Sequence, residues 1–323
     1  MSLTLLKLED IKQSITMVEA IDAMEKAFVQ LAARRCVLPL RTPVAVSGED
    51  GLTLTMPAYL PEQKALGLKV VSIFPHNQDK NIPSINGAIL LLDAQTGRLE
   101  AIMEAAYLTA LRTGAVSGLA TKYLTSENVR HVAIIGAGVQ AFTQLEAVAA
   151  VRDIQCVSIW SRNKERAALF AEKVKHQFEV RTHADIHSAV KDADIICTAT
   201  GSNTPLISLQ DVKSTVHINA IGSHTKEMRE LSDDVLAKAI VVVDQKEAAL
   251  SEAGEIIHAI ENKALEETSI LELGAVIQGD SSSYRDKMTV FKSVGLAIQD
   301  ISIAQAVYQN AKEGGIGKPF DLG

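Results

Sequence analysis

The rhythm of hydrophobic and polar positions changes along this chain. From "VRHVAIIGAGVQAFTQLEAVAAV" onward, short apolar runs alternate with amphipathic stretches. "HVAIIG" reads as a strand, "VQAFTQLEAVAAV" as a helix, "QCVSIW" as the next strand and "NKERAALFAEKVKHQ" as the next helix. "FEVRT", "DIHSAVKDA", "DIICTAT", "TVHINAIGS", "SDDVLAKA" and "IVVVD" continue the series. Such alternation predicts a parallel sheet with helices on both faces. Upstream the pattern differs. A helix, "TMVEAIDAMEKAFVQLAARR", precedes the closely spaced strand candidates "RTPVAVSG", "GLTLTMPAYL", "LGLKVVSIFP" and "GAILLLDAQTG". These predict an antiparallel or mixed sheet in a separate α+β domain.

The fold class expected is therefore α/β, a Rossmann-type doubly wound parallel sheet over 119–298 beside an α+β domain over 1–118. A C-terminal helix, 299–323, is expected to return to the first domain. Between the two lies "AAYLTALRTGAVSGLATKYL", a helix so apolar that it should be covered on nearly every side, yet Arg112 stands in its middle. A guanidinium keeps its charge and is very costly to bury alone. Arg112 therefore needs a partner.

Composition narrows the functional class. The chain has 323 residues, with 32 basic against 39 acidic side chains and a formal charge of -7. That balance, with no basic cluster, gives no electrostatic footprint for nucleic acid. No run is long enough to cross a membrane, and "MSLTLLKLEDIKQS" carries charges where a signal peptide needs apolar residues. Cys36, Cys156 and Cys197 are few and far apart, and read as buried thiols in a reducing compartment. A cytoplasmic protein is expected. His183 and His187 have helical spacing but no accompanying ligand cluster, so no metal site is expected.

The strongest local motif is "VAIIGAGVQA", which places Gly136, Gly138 and Ala141 in G-x-G-x-x-A spacing at a strand-to-helix turn. Gly136 permits the tight turn and Gly138 lets a pyrophosphate approach the backbone. Ala141 lets the helix pack on the sheet, and the helix N-terminus offers its free N–H groups to phosphate. The end of the second strand decides between nicotinamide cofactors. An acidic residue there would hold the ribose hydroxyls of NAD. This chain reads Ser161, Arg162, Asn163, Lys164 instead. With no carboxylate to repel a 2′-phosphate, NADP(H) is expected, with NAD(H) as the alternative.

Three cations precede this domain: Arg41 opening "RTPVAV", Lys69 in "LGLKVVSIF", and Arg112. Singly, each has an ordinary structural explanation. Together they suit a carboxylate, which two guanidiniums can grip while an ammonium adds charge and a transferable proton.

Over essentially its whole length the chain resembles the ornithine cyclodeaminase/mu-crystallin family. The resemblance rests on "LKVVSIFPHN", "NIPSINGAILLLDAQTG", "LTALRTGAVSGLA", "VAIIGAGVQA", "ICTATGSNTPLI", "HINAIGSH" and "VFKSVGLAIQD". It implies a homodimer in which the Rossmann domain stands beside a substrate-binding and dimerisation domain. It also implies that Arg41, Lys69 and Arg112 bind the substrate carboxylate, with Val294 at a substrate-contacting position. By the same resemblance Ser84, Arg112, Thr113, Val139, Gln140, Thr198, Ile221, Gly222, Ser223, His224 and Ser293 fall at cofactor-contacting positions.

The family includes ornithine cyclodeaminases, amino-acid dehydrogenases and reductases of cyclic ketimines. Its ornithine cyclodeaminases resemble one another in an acidic residue shortly before the Met-Pro of the first domain and an aspartate after the strand matching "VHINAIG". Here those places hold Leu54 and His224. Neither offers a fixed negative charge for a second ammonium group. The expected reaction is NAD(P)H-dependent reduction of a cyclic imino acid, Δ1-pyrroline-2-carboxylate to L-proline in the first instance. Lys69 is the first candidate for the proton relay and His224 the second. An alanine dehydrogenase-like enzyme, an ornithine cyclodeaminase and an NADPH-loaded mu-crystallin-like binding protein are the alternatives.

Overall fold

A computed structural model describes residues 2–323, the side chains of Ser2 and Gln78 aside. The chain divides into two compact units, one comprising the residues up to Arg112 together with Leu296–Gly323, the other Thr113–Gly295. The divisions fall inside the helix Ala105–Leu124 and just before the helix Ala297–Glu313, rather than at the expected 118/119 and 298/299.

The first unit contains β1 (Ser2–Leu6), β2 (Thr42–Val46), β3 (Gly51–Leu60), β4 (Ala65–Ile73), β5 (Ile85–Asp93) and β6 (Leu99–Glu104). With the terminal strand Lys318–Asp321 they form a seven-stranded sheet, in the order terminal strand, β1, β6, β5, β4, β3, β2. The sheet is mixed, since β1 runs parallel to β6 and every other pairing is antiparallel. On β3 the alternation reads cleanly: Leu54, Met56, Ala58 and Leu60 are buried, and the residues between them are half-exposed. The helices Met17–Ala32 and Ala297–Glu313 pack together, and the latter also covers β3 and β4. Met17–Ala32 begins where Thr16 and Glu19 cap each other reciprocally, Glu19 accepting from Thr16 N at 2.8 Å.

Two regions depart from the sequence reading. β1 and β6 have no counterpart in it, because each is a short run beside a turn or a helix. The C-terminal segment is not helical through 323. The helix stops at Glu313, Gly315 and Gly317 take left-handed φ values of 64° and 101°, and Lys318–Asp321 then pairs with β1.

The second unit holds β7 (His131–Ile135), β8 (Cys156–Trp160), β9 (Glu179–Thr182), β10 (Ile195–Thr198), β11 (His217–Ala220), β12 (Ile240–Val243), β13 (Leu271–Glu272) and β14 (Thr289–Lys292). They form one parallel sheet in the order β13, β12, β14, β11, β10, β7, β8, β9. Successive residues of β7 feed opposite cores. Val132 and Ile134 pack with Leu145, Ile159 and Phe170, whereas Ala133 and Ile135 pack with Ile196, Ile218 and Val290. This is the expected doubly wound arrangement. From β7 the chain runs outward through β8 and β9, then returns to build the other half from β10. The order therefore reverses between β7 and β10, and ligands of such sheets bind beyond the strand ends at that reversal.

All three cysteines are free, but only Cys197 is buried; Cys36 and Cys156 are partly exposed, against the sequence reading. His183 meets Ser158 Oγ at 3.0 Å and His187 meets Asp211 at 3.1 Å, so the two histidines do not converge. Among the described residues no group of His, Cys, Asp or Glu could hold a metal ion, and no helix is long and apolar enough to cross a membrane.

Candidate active site

In the first unit, the partner that Arg112 requires is Asp300. Arg112 Nε donates to Asp300 Oδ1 at 3.1 Å, and its Nη1 donates to Gln299 Oε1 at 2.7 Å. The other carboxylate oxygen, Oδ2, lies 2.7 Å from Lys69 Nζ. All of these side chains are buried, Lys69 and Arg112 exposing 3% and 8% of their surface and Asp300 none. Lys69 sits mid-strand in β4, paired with Met56 and Ile89, on the face covered by the helix Ala297–Glu313. Arg41 immediately precedes β2, whose first residue Thr42 pairs with Thr55, and so falls beside the Met56–Lys69 pair.

The electrostatics match this placement. Burial pushes the Lys69 ammonium down to about 8, Asp300 opposes that shift, and Arg112 and Arg41 reinforce it. The three cations singled out from the sequence are thus one electrostatic cluster. Sequence reasoning missed its anionic member. The signal was present, because "GLAIQDISIA" sets Gln299 and Asp300 between apolar residues on both sides. Leu54 stands on the same face of the sheet, two positions before Met56 on β3, and is buried.

In the second unit, a cleft of about 290 Å³ opens beyond β7 and β10. Gly136, Gly138, Ser161, Arg162 and Asn163 line it, as expected, together with Ala137, Trp160, Arg166 and the loop Ala199–Ser202. Gly136 has φ 116°, and a Cβ there would lie 2.5 Å from Ala199 O, so only glycine fits the turn. A Cβ on Gly138 would meet nothing within 4 Å. Its small size serves whatever occupies the cleft rather than the protein's own packing. Val139 follows, 71% exposed at the start of the helix Val139–Val151, while Ala141 is buried against the sheet. An open backbone turn, a helix N-terminus and a cationic far wall fit a dinucleotide. Lys164 begins the helix Lys164–Val174 but does not line the cleft, and Asn163 caps that helix by accepting from Arg166 N at 3.0 Å.

The remaining cofactor candidates of this unit hold its loops. Glu230, fully buried, accepts from Thr198 Oγ1, Thr200 N and Thr200 Oγ1 at 2.7 Å each, and from Gly222 N at 2.8 Å. Burial raises its pKa above the usual carboxylate value. Ser223 donates to Met228 O at 2.9 Å, and the buried Lys292 donates to Ser223 O while lying 3.2 Å from Glu255. Ser293 donates to Asp244 Oδ2 at 2.7 Å, the same oxygen that accepts from Val294 N. The hydroxyls of Thr198, Ser223 and Ser293 are therefore committed to protein acceptors. Ile221 is buried and His224 exposed, with Nδ1 of His224 2.9 Å from Gly222 O. That contact fixes the proton on Nδ1 and leaves Nε2 as the acceptor in the neutral ring. Gln140 accepts from Thr143 Oγ1, and Thr113 O accepts from Gln144 Nε2 at 3.1 Å. Ser84 belongs to the first unit, where its carbonyl accepts from Phe74 N at 2.8 Å.

The fold and these two sets of residues define a nicotinamide-dependent oxidoreductase with a separate buried cation cluster. The chain belongs to the ornithine cyclodeaminase/mu-crystallin family, whose model matches residues 2–315. It is 39% identical to a Δ1-pyrroline-2-carboxylate reductase of Bacillus cereus, over 96% of this chain and 97% of that one. A solved structure of Thermococcus litoralis Δ1-pyrroline-2-carboxylate reductase in complex with NADH and L-proline superposes with a TM-score of 0.91 at 37% identity, covering 98% and 99% of the two chains. An archaeal alanine dehydrogenase dimer with bound NAD gives 0.93 at 33% identity, covering both chains fully.

Proposed function

We propose that this enzyme reduces a cyclic imino acid with a nicotinamide cofactor, Δ1-pyrroline-2-carboxylate to L-proline being the lead reaction. The observation that carries the reading is the buried cluster of Lys69, Arg112 and Asp300 with Arg41 in electrostatic reach. Lys69 and Arg112 share the single carboxylate of Asp300, a formal sum of one positive charge, and a substrate carboxylate brings one negative charge. Arg112 uses Nε and Nη1 on the protein, and Nη2 has no partner among the described residues. That nitrogen and Arg41 are the groups suited to grip the carboxylate.

The dinucleotide would be held by the Gly136–Gly138 turn, the N-terminus of Val139–Val151, and Ser161, Arg162 and Arg166. Bound and reduced, it supplies the hydride. Holding the carboxylate fixes the orientation of the imine carbon, and orientation of this kind is worth several kcal/mol. Lys69, with its pKa near neutrality, is the group to pass a proton to the imine nitrogen. His224, whose Nε2 is free to accept, is a second proton carrier.

NADPH is the preferred cofactor in this reading. No carboxylate occurs among Ser161, Arg162, Asn163 and Arg166, and two guanidiniums line that wall of the cleft. The enzyme works as a homodimer. The edge strand β2 is exposed throughout, and Leu40 and Val44 are 79% and 54% exposed there, an apolar edge that a second copy would cover. The test is a steady-state comparison of Δ1-pyrroline-2-carboxylate, a six-membered cyclic imine and 2-oxo acids with ammonia, each with NADPH and NADH. Loss of nicotinamide absorbance with the five-membered imine supports the reading; turnover confined to 2-oxo acids overturns it in favour of an amino-acid dehydrogenase.

A further inference from the structure

The helix Ala297–Glu313 carries two polar residues on its first turn that are completely buried, Gln299 and Asp300. Helix starts tolerate a buried carboxylate better than most places, because the free N–H groups there present a partial positive charge. Even so, burying an amide and a carboxylate side by side is costly unless they have work to do. Their work is visible in the hydrogen bonds and the ion pair they make. Asp300 divides its two oxygens between Lys69 and Arg112, at 2.7 and 3.1 Å. Gln299 gives its oxygen to the neighbouring nitrogen of the same guanidinium at 2.7 Å. Two of the three guanidinium nitrogens are thus clamped from one helix turn, which fixes the plane of the group and the direction of Nη2. The amide orientation follows from chemistry, since Nη1 can only donate and so must face Oε1. Nε2 of Gln299 is then a buried donor without an acceptor among the described residues. A carboxylate oxygen is the acceptor chemistry such a donor suits.

We propose that Gln299 and Asp300 are the positioning residues of the carboxylate site, Asp300 holding Lys69 and Arg112 in one geometry and Gln299 setting the guanidinium plane for the incoming carboxylate. The inference rests on the imino-acid reading for its substrate, but not for its geometry. Asp300 also has a chemical consequence. It is the anion that keeps Lys69 protonated against burial and against the charges of Arg112 and Arg41, the ionisable groups that act on it. Its neighbours across the sheet, Met56 and Ile89, carry no charge. Without the carboxylate, Lys69 should release its proton at lower pH.

Two isolated changes test this, each read by binding and by turnover. The binding probe is pyrrole-2-carboxylate, a flat carboxylate that cannot accept hydride, titrated calorimetrically into the NADP-loaded enzyme across pH. In Asp300→Asn the pH above which binding and kcat/KM decline should move down by about one unit or more, with nucleotide affinity unchanged. In Gln299→Ala the affinity for the probe should fall roughly tenfold and KM rise alike, with kcat and the pH profile kept; Gln299→Glu, which keeps the acceptor but removes the Nε2 donor and sets a second anion beside the incoming carboxylate, should lose at least as much. Unmoved pH dependence in a folded Asp300→Asn, or unchanged probe affinity in Gln299→Ala, overturns the proposal. If Asp300→Asn does not fold, Gln299→Ala alone decides. A wild type that binds the probe but reduces no imine would sink the proposed reaction and leave this inference to be judged on binding.

Discussion

Glu230 accepts the backbone N–H of Gly222 at 2.8 Å while accepting Thr200 N at 2.7 Å through its other oxygen. One buried carboxylate thereby ties the loop after β11 to the loop after β10, and Thr200 lines the dinucleotide cleft. Replacing Glu230 by Ala strands two partly buried backbone donors and removes an anion beside Lys292, a combination that costs roughly 3–5 kcal/mol. Glu230→Ala should lower the unfolding free energy measured in urea by that amount and weaken nucleotide binding. Because burial raises the Glu230 pKa, the folded state binds its proton more tightly than the unfolded one. The group's contribution to stability is therefore largest in acid and is lost as pH rises through the folded pKa. Glu230→Gln, which keeps one accepting oxygen but turns its NH2 group toward the other backbone donor, should remove that dependence at a cost in stability. A Glu230→Ala protein with wild-type stability and nucleotide affinity would show that the two loops are held independently.

Arg112→Lys and Arg112→Ala should both impair the reaction through the substrate. Lysine keeps the charge but cannot span Asp300 and Gln299 at once. A lost charge-assisted contact is worth roughly 1.5–3 kcal/mol, or about ten- to hundredfold in kcat/KM. Nucleotide affinity, measured by fluorescence titration, should stay within about twofold of wild type. Equal losses of nucleotide and substrate affinity would mean that Arg112 supports the fold and not the carboxylate.

The pH dependence follows from Lys69. Its pKa of about 8 leaves it charged at neutrality and uncharged in mild alkali. If it supplies the proton, kcat/KM for imine reduction should fall above about pH 8, and the reverse oxidation of L-proline should rise over the same range, since it needs the neutral amine. Lys69→Met, similar in bulk but not ionisable, should abolish this limb together with most of the rate. A profile flat from pH 6 to about 10 would assign the proton to another group.

Ser161→Asp tests the cofactor reading. A carboxylate on that wall would repel a 2′-phosphate and accept the hydroxyls of an unphosphorylated ribose. Preference should move from NADPH toward NADH by roughly ten- to hundredfold, a loss of one or two charge-assisted contacts. Arg166→Ala should weaken NADPH binding with little effect on NADH. A wild-type enzyme already indifferent to the 2′-phosphate would remove the basis of both expectations.

What the sequence made legible was whatever has a local cause. Gly136, Gly138 and Ala141 were readable because a βα turn needs those residues at that spacing. The alternating strands of the second unit were readable from their period. Asp300 was not, although it is the residue that explains Arg112. Its partners lie 188 and 231 positions away along the chain, and no periodicity reports a contact of that range. Glu230 escaped for the same reason, and β6 because six residues beside a helix start carry little pattern. The terminal strand was lost to a helical reading that ran past its own stop signal, "GGIG".

The choice of substrate rests on Leu54 and His224. Leu54 is buried on the face of the sheet that carries Lys69, two cross-strand pairs further along β3 and β4. An amino acid with a distal ammonium would bring that charge toward an apolar side chain that offers it no acceptor, and an unpaired desolvated charge costs several kcal/mol. A flat cyclic imino acid has no such charge. His224 does not compensate, since it is exposed and holds Gly222 O through Nδ1. Proline formation should therefore exceed ornithine deamination by roughly a hundredfold or more in kcat/KM. Leu54→Glu should narrow the gap from both sides, by offering the missing partner and by burdening the imine site with an unneeded charge. Ammonia release from ornithine with NAD, set beside NADPH consumption with the imine, measures the ratio directly. Efficient ammonia release by the wild type would show that a residue elsewhere supplies the acid, and would return the enzyme to the cyclodeaminase branch of its family.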